Sequence, residues 1–357
     1  MPKFHTLKIK DVRPETADCV SVAFEVPGSL AGEYVFVHGQ NLTLKATIQG
    51  EEVRRSYSIC TSPLDNELRV AIKKVPGGRF STFANEMLKA GDSLEVMTPS
   101  GNFSVPLDPA NRKHYAAFAA GSGITPVLSI LRTVLLTEPG SEFTLFFGNK
   151  SAENIIFRDQ LEDLKNRFLD RLSIHHVLSR EYPGADLFYG RIDGDRCGDF
   201  CRLLLDPEDV DEYFLCGPEE MIFGVKGKLE EVGVDPKHIH YELFTSPVGP
   251  LGVKTPPPPR MDKSVRSQIE VTLDGNAFSF ELDSGGDTIL DGALKAGADL
   301  PFACKGGVCA TCKARIMEGE VAMQVNYALE PDEVKAGFVL TCQSHPRTER
   351  VVVSYDE

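Results

Sequence analysis

Several marks of a membrane, secreted or nucleic-acid-binding protein are missing from this sequence. No apolar run reaches the roughly 18 residues that a membrane-spanning helix needs. Residues 1–8 hold no apolar core of a secretory signal, so a cytoplasmic protein is the expectation. Basic residues are in the minority, 38 Lys and Arg against 52 Asp and Glu, and a net charge of −14 argues against nucleic acid as a partner. The cysteine count is odd, at nine, which disfavours a complete disulfide framework. Five of them, Cys19, Cys60, Cys197, Cys201 and Cys216, are scattered. Cys197 and Cys201 lie four apart on a possible helix, but no His or Cys nearby completes a metal site with them.

What is present is the composition of a globular chain of two or three domains: 357 residues, 42% hydrophobic and 25% charged. Residues 1–107 read as a small antiparallel β-barrel. Short β-branched and aromatic runs at 19–26, Asn41–Ile48 and Leu68–Lys73 are separated there by Gly, Pro, Asp and Asn turns. Residues 112–245 read as an α/β domain. Buried strands at 115–120, 143–147, Leu172–Leu178 and 213–216 alternate with helices at 127–136, 157–168 and 218–232, the pattern of a parallel sheet with crossovers. A proline-containing linker over 246–266, including Pro256-Pro-Pro-Pro259, separates these from a third domain over 267–357. That domain opens with strands at 269–273 and 277–282 around Asp274-Gly275, then a helix at 288–296. From Val265 onward fifteen Asp and Glu face eight Lys and Arg, so half of the net charge sits in about a quarter of the chain. Such a surface is either merely solvated or a docking face for a basic patch on a partner.

The other four cysteines form a motif. Cys304-Lys-Gly-Gly-Val-Cys309-Ala-Thr-Cys312 is Cys-x4-Cys-x2-Cys, and Cys342 follows after 29 intervening residues. This is the spacing of a plant-type [2Fe–2S] cluster, whose potential lies at about −400 mV. Three ligands from one loop must converge, so the chain has to curl tightly. Gly306 and Gly307 permit positive φ there and let backbone N–H groups approach sulfur. A zinc site would show paired Cys-x2-Cys knuckles, and disulfides would be out of place in the cytoplasm.

Arg55-Ser56-Tyr57-Ser58 and the later Gly77-Gly78-Arg-Phe-Ser81-Thr82 resemble the flavin-binding barrel of the ferredoxin–NADP reductase superfamily. A guanidinium such as Arg55 binds a diphosphate through two hydrogen bonds. A ring such as Tyr57 stacks on isoalloxazine, and a hydroxyl such as Ser58 hydrogen-bonds flavin N5. The turn at Gly77 and Gly78 opens a helix whose amides hold phosphate. The resemblance assigns these residues to FAD, with Ile72 and Lys73 lining the ring. One departure is His38-Gly39-Gln40, where many members have Pro-Gly-Gln.

Gly121-Ser-Gly123-Ile-Thr125-Pro126 sits at a strand-to-helix turn, where glycines let backbone approach a pyrophosphate. The family's Gly-rich turn ending in Pro matches it, and Cys216-Gly217-Pro218 matches the family's second nicotinamide-side motif. The resemblance places Cys216 near nicotinamide C4 and Phe244, in Glu242-Leu-Phe244, against the flavin ring. Ser58, Cys216 and Phe244 are the expected catalytic residues. Ser179-Arg180-Glu181 follows the third strand, where the family reads the adenosine ribose. Ser179 and Arg180 suit a 2′-phosphate, so NADPH is expected over NADH, with Glu181 as a counter-signal; Arg191 is the alternative contact, and either Arg could instead be a plain surface residue.

The order flavin, nicotinamide, ferredoxin is similar over the whole chain to the reductase components of phenylacetyl-CoA 1,2-epoxidases. So are the blocks Leu300–Lys313 (LPFACKGGVCATCK), Asn326–Glu333 (NYALEPDE) and Arg54–Cys60 (RRSYSIC). The resemblance implies a flavin barrel, a nicotinamide domain and a β-grasp-like ferredoxin domain. It also implies electron flow from NADPH to FAD to [2Fe–2S] and on to the di-iron oxygenase subunits of a multicomponent monooxygenase in phenylacetate breakdown. The chain itself has no Glu-x-x-His pair of a di-iron bundle and no Rieske pattern, so the oxygenase is a separate polypeptide. Two alternatives stay open: a reductase for another acceptor, such as a ring-hydroxylating dioxygenase, a desaturase or a hybrid-cluster protein, and a redox carrier or sensor without steady turnover.

Overall fold

The computed structural model describes residues 3–244 and 265–357. They form two compact bodies. One comprises Phe4–Val53 and Tyr57–Glu242; the other is built mainly from the C-terminal residues up to Glu357. The expected linker lies outside the described residues apart from its last two positions.

The first body begins with the strands β1 (Phe4–Thr16), β2 (Cys19–Glu25), β3 (Asn41–Ile48), β4 (Glu51–Ser58) and β5 (Leu68–Lys73), the helix α1 (Arg79–Glu86) and β6 (Ser93–Met97). The strands pair in the order β4-β3-β6-β1-β2-β5, and a bridge between Ile59 and Val70 joins the two ends into a barrel. The long β1 is masked in the sequence by Lys, Asp and Pro. Leu7 and Ile9 face the core at strand period, and Pro14 sits where the register shifts, so no ladder hydrogen bond is lost. Arg69 on β5 is buried at 2% exposure. It donates to Asp11 at 2.7 Å, Glu67 at 2.9 Å and Ser21 at 2.9 Å, so its charge is matched by carboxylates as a buried guanidinium requires.

The same body continues with β7 (His114–Ala120), α2 (Ile124–Thr137), β8 (Glu142–Asn149), α3 (Arg158–Arg167), β9 (Leu172–Leu178), α4 (Gly194–Leu203), β10 (Glu212–Cys216), α5 (Glu219–Glu231) and β11 (Ile239–Glu242). The five strands are all parallel in the order β11-β10-β7-β8-β9. Sequence reading found four of them; β11 is only four residues long. Helix α2 starts three residues before the expected 127, with Pro126 in its first turn, where a missing N–H leaves no bond unmade. Helix α4 carries Cys197 and Cys201, and Asp193 caps it by accepting the Arg196 N–H at 2.8 Å.

Buried polar contacts fix the barrel against the sheet. Ser129 on α2 donates to the Thr61 carbonyl at 2.6 Å, and Arg132 to Asp65 at 2.8 Å. Glu138, fully buried, accepts from the Asp108 N–H, the Asn111 amide, the Tyr115 hydroxyl and the Ser141 hydroxyl at 2.7–3.0 Å.

The second body contains β12 (Arg266–Leu273), β13 (Asn276–Asp283), α6 (Ile289–Lys295), β14 (Lys313–Glu318), β15 (Val321–Met323), α7 (Pro331–Lys335), β16 (Phe338–Leu340), β17 (Ser344–Pro346) and β18 (Arg350–Ser354). Its main sheet runs β13-β12-β18-β14-β16 with β12 and β18 parallel, a β-grasp-like arrangement, and β15 pairs with β17. Asp274 and Gly275 both take positive φ, as a two-residue hairpin turn demands. Ile269, Val271, Ile289, Leu290, Leu340, Val351 and Val353 form its core. Among the described residues no helix is long and apolar enough to cross a membrane.

Candidate functional site

In the parallel sheet the chain leaves β7 towards β8 on one side, and β10 leads to β11 on the other. The neighbours β7 and β10 therefore flank the switch point, where open α/β sheets bind ligands beyond the strands' carboxyl ends. Gly121–Gly123 follows β7, and Cys216-Gly217-Pro218 ends β10, so both expected nicotinamide motifs meet there. Gly123 is required by packing: a Cβ on it would lie 2.0 Å from the Cys216 carbonyl oxygen. Gly121 takes φ +54°. Thr125 is buried and donates to the Ser122 carbonyl at 3.0 Å, and Pro126 is buried beside it in α2. Helix α5 carries no side-chain cap, which leaves its first-turn amides available to an anion, whereas in α2 the Ile124 N–H bonds back to the Gly121 and Ser122 carbonyls and Pro126 has no N–H.

The barrel's contribution reaches the same crevice. Ser58, buried at the end of β4, donates to the Glu242 carboxylate at 2.9 Å. Glu242 keeps part of its surface accessible, yet its carboxyl group is enclosed, and burial raises its pKa to about 7 against the pull of the Ser58 hydrogen bond. Sequence reading quoted Glu242 only as the neighbour of Phe244 and gave it no role. The signal was there: an acid closing a strand between Tyr241 and Leu243. Cys216 is fully buried, and burial pushes its thiol well up. Phe244 lies just past β11 and is exposed.

The remaining flavin candidates line up along β4, β5 and α1. Arg55 is exposed, with its guanidinium donating to the Arg54 carbonyl at 2.7 Å; Ser56 and Tyr57 are half-buried, and the Tyr57 ring lies 5.7 Å from that of Phe80. Ile72 is fully buried, and Lys73 lies 3.8 Å from Asp18. Gly77 and Gly78 lead into α1, whose N-terminus has no side-chain cap. The Ser81 hydroxyl accepts the Val75 N–H at 3.1 Å and donates to the Gly78 carbonyl at 3.3 Å, so it shapes the turn, while Thr82 is half-buried in the first helical turn. An uncapped helix start after a tight glycine turn fits a diphosphate-bearing flavin.

At the far end of the sheet, Ser179 donates to the Asn149 carbonyl at 3.3 Å. Arg180 and Arg191 are exposed, and Glu181 accepts the Ala152 N–H at 2.8 Å.

In the second body the four expected ligands face one another. Cys304 is hydrogen-bonded to Cys309 and Cys342, and Cys342 to Cys312. Cys304 and Cys309 are half-buried, while Cys312 and Cys342 are buried. The Cys309 and Cys342 thiols, then the Gly306 and Val308 amides, hold the Cys304 thiol down to about 2; the Gly306 N–H lies 3.3 Å from its sulfur. Among the described residues no three His, Cys, Asp or Glu side chains converge as a single metal ion would require. A binuclear cluster asks for something else, two thiolates on each iron, and a mutually facing set with amides aimed at sulfur fits it.

The loop reaches this curl differently from the sequence expectation. Gly307 takes φ +77°, but Gly306 does not adopt positive φ; Lys305 (φ +51°) and Ala310 (φ +52°) do instead. Non-glycine residues hold that conformation only when their surroundings impose it. Gln343 supplies part of that constraint, with its amide donating to the Lys305 carbonyl at 3.0 Å and to the Cys342 carbonyl at 2.9 Å. Sequence reading passed over Gln343, whose only cue is its position beside Cys342.

Comparison with known proteins agrees with this division. Residues 7–105 match the oxidoreductase FAD-binding domain family, residues 118–227 the oxidoreductase NAD-binding domain family and residues 271–347 the 2Fe-2S iron-sulfur cluster binding domain family. The chain is 45% identical to one of the component proteins of the 1,2-phenylacetyl-CoA epoxidase of Escherichia coli K12, over 100% of this chain and 99% of that one. It is 30% identical to the ferredoxin reductase component of 3-ketosteroid-9-alpha-monooxygenase from Rhodococcus rhodochrous, over 98% and 96%. It is 31% identical to the glycine betaine monooxygenase reductase subunit of Pseudomonas aeruginosa UCBPP-PA14, over 98% and 95%. In fold it resembles phthalate dioxygenase reductase, with a TM-score of 0.58 at 24% identity over 98% of each chain. The chain belongs to the family of oxygenase reductase components that carry an FAD-binding barrel, a NAD-binding domain and a C-terminal [2Fe–2S] ferredoxin domain.

Proposed function

We propose that this reductase is the NADPH-dependent electron donor of a phenylacetyl-CoA 1,2-epoxidase, delivering single electrons in the cytoplasm to di-iron oxygenase subunits. Full-length likeness to the Escherichia coli epoxidase component supports the partner. The observation that carries the chemistry is the Ser58–Glu242 pair in the same crevice as Cys216, on a chain that also bears the four-cysteine loop. The reading divides the chain into an FAD barrel over 1–107, a nicotinamide domain over 112–245 and a ferredoxin domain over 267–357, joined by the 246–266 linker.

When bound, the nicotinamide supplies a hydride, the flavin converts an electron pair into single electrons, and the cluster takes one at a time. The chain's own residues bind, orient and exclude water. Arg55, Ser56, Gly77, Gly78, Ser81 and Thr82 hold the FAD diphosphate through the guanidinium and the start of α1. Tyr57, Lys73 and Phe244 would border its ring, with the buried Ile72 behind them on β5. Ser58, whose hydroxyl donates to Glu242, would help hold the flavin ring at its N5 side, and Glu242 can hold or release a proton near neutrality. Gly121, Gly123, Thr125, Pro126, Gly217 and Pro218 would admit the nicotinamide nucleotide, with Cys216, buried at the end of β10, backing the nicotinamide side of the site. Ser179, Arg180 and Arg191 receive a 2′-phosphate, which favours NADPH. Cys304, Cys309, Cys312 and Cys342 ligate the cluster.

The test is reconstitution with the oxygenase subunits of a phenylacetyl-CoA epoxidase. NADPH consumption is expected to depend on phenylacetyl-CoA. Consumption that is indifferent to the thioester, or restored only by another oxygenase, contradicts the proposed partner.

A further inference from the structure

The ferredoxin body has an apolar groove that its own core leaves open. Ile316 on β14, Val321 and Met323 on β15, Val334 on α7 and Phe338 on β16 line it, with Glu320 in its wall, around a cavity of about 310 Å³. Each of these apolar side chains keeps accessible surface, Val334 most at 39%. Strand β16 ends the five-stranded sheet. The groove takes in both Phe338 and its neighbour Val339, whose side chains alternate across the sheet, so it runs along the open edge of that strand. One end abuts the cluster loop. Met323 stands opposite Ser344, and its sulfur accepts the Leu340 N–H at 3.3 Å, two residues before Cys342.

Charge narrows the choice of occupant. Of the eight Lys and Arg in 265–357, seven already pair with carboxylates of the same body. Beside the groove these are Lys313 with Glu333, Lys335 with Asp332 and Arg350 with Glu318. The Glu320 carboxylate has no such partner among the described residues. Seven of the eight basic side chains are therefore neutralised internally; the eighth, Arg347, bonds the Glu320 carbonyl through its backbone N–H, and fifteen carboxylates against eight bases leave the body as a whole negative.

We propose that this groove docks the oxygenase component, taking an apolar side chain that projects from a Lys- and Arg-bearing surface. The inference rests on reading the chain as an oxygenase reductase. An apolar anchor in a desolvated slot fixes orientation, while the unpaired carboxylate speeds encounter with a basic partner. A partner seated along β16 lies beside the strand that leads directly into Cys342.

The test uses the full-length, cofactor-loaded protein with its oxygenase. Val334→Asp is expected to raise KM for the oxygenase about tenfold, as loss of an apolar anchor site does. NADPH–ferricyanide activity and the cluster's visible spectrum should stay unchanged. Glu320→Lys should raise KM severalfold at low salt and converge with wild type at high salt, the behaviour of a rim charge. Should Val334→Asp disturb the spectrum, Val334→Ala replaces it, with an expected rise of about threefold. Wild-type KM in the variants overturns the groove while leaving the oxygenase assignment intact. Failure of the wild-type protein to drive the oxygenase overturns that assignment, and the groove's partner falls with it.

Discussion

Cysteine is set in opposite surroundings in the two bodies. At the end of β10, Cys216 is walled in by apolar neighbours, and burial pushes its thiol well up. In the cluster loop, neighbouring thiols and the Gly306 and Val308 amides converge on Cys304 and lower its pKa, while its partners Cys309 and Cys342 stay raised. Donor geometry rather than residue type separates an inert packing thiol from a metal ligand. The contrast extends to the carboxylates. The nicotinamide crevice keeps Glu242 near neutrality, whereas the ferredoxin body displays its acids to solvent and pairs nearly all its bases. One region is built to keep charge out while a hydride moves, the other to present charge where a partner arrives.

The largest effect expected from disturbing this contrast is Gly123→Ala. The new Cβ would meet the Cys216 carbonyl at 2.0 Å and push apart the two loops of the crevice. A fall in kcat/KM for NADPH of about a thousandfold is expected, because misplacement of a reacting group by an ångström is already costly. Near-normal turnover by a folded, flavin-loaded variant would mean that the loops need not approach so closely.

Glu242→Gln comes next. The unfolded carboxyl titrates near 4.5 and the folded one near 7, so as pH rises the unfolded chain loses its proton first. The native state therefore incurs a penalty that grows between pH 4.5 and about 7, to roughly 3.4 kcal/mol at 1.36 kcal/mol per pKa unit. The glutamine variant should unfold at higher denaturant than wild type at pH 8 and together with it below pH 4.5. Parallel stability curves at every pH would place the Glu242 carboxyl in solvent.

Arg180→Ala is expected to raise KM for NADPH about tenfold relative to that for NADH, the loss of one charge-assisted phosphate contact. An unchanged ratio moves that contact elsewhere. The smallest effect belongs to His345, 3% exposed, with both ring nitrogens unpartnered among the described residues. Burial lowers its pKa, so the fold loses stability as pH falls below 6.5, where the unfolded chain takes the proton. His345→Phe should flatten that dependence and add about 1 kcal/mol, by removing buried unsatisfied nitrogens. Thermal loss of cluster absorbance at pH 5.5 and 7.5 measures it.

The sequence was most informative where chemistry imposes spacing. Cys304, Cys309, Cys312 and Cys342 could be read without a structure, and so could β3, β5 and β9, where apolar and β-branched residues recur at strand spacing. The strand β1 was hidden because its bulge sits at Pro14, and β14 to β18 because short strands leave too few residues to show a period. Ser58 was visible as part of a motif. Its partner Glu242 lies 184 residues away, and no local pattern announces a pair made by the crossing of a barrel and a sheet. The positive φ at Lys305 and Ala310 was hidden for a related reason, since contacts such as those of Gln343 impose it from outside the loop.

The central claim is that hydride chemistry and single-electron delivery occupy separable sites, and Cys342→Ser tests it most directly. In folded, flavin-loaded protein, electron transfer to the oxygenase should fall at least about a hundredfold with loss of a cluster ligand. NADPH–ferricyanide activity should stay within about twofold of wild type, since the crevice of Ser58, Cys216 and Glu242 is untouched. Equal loss of both activities would contradict two separable sites.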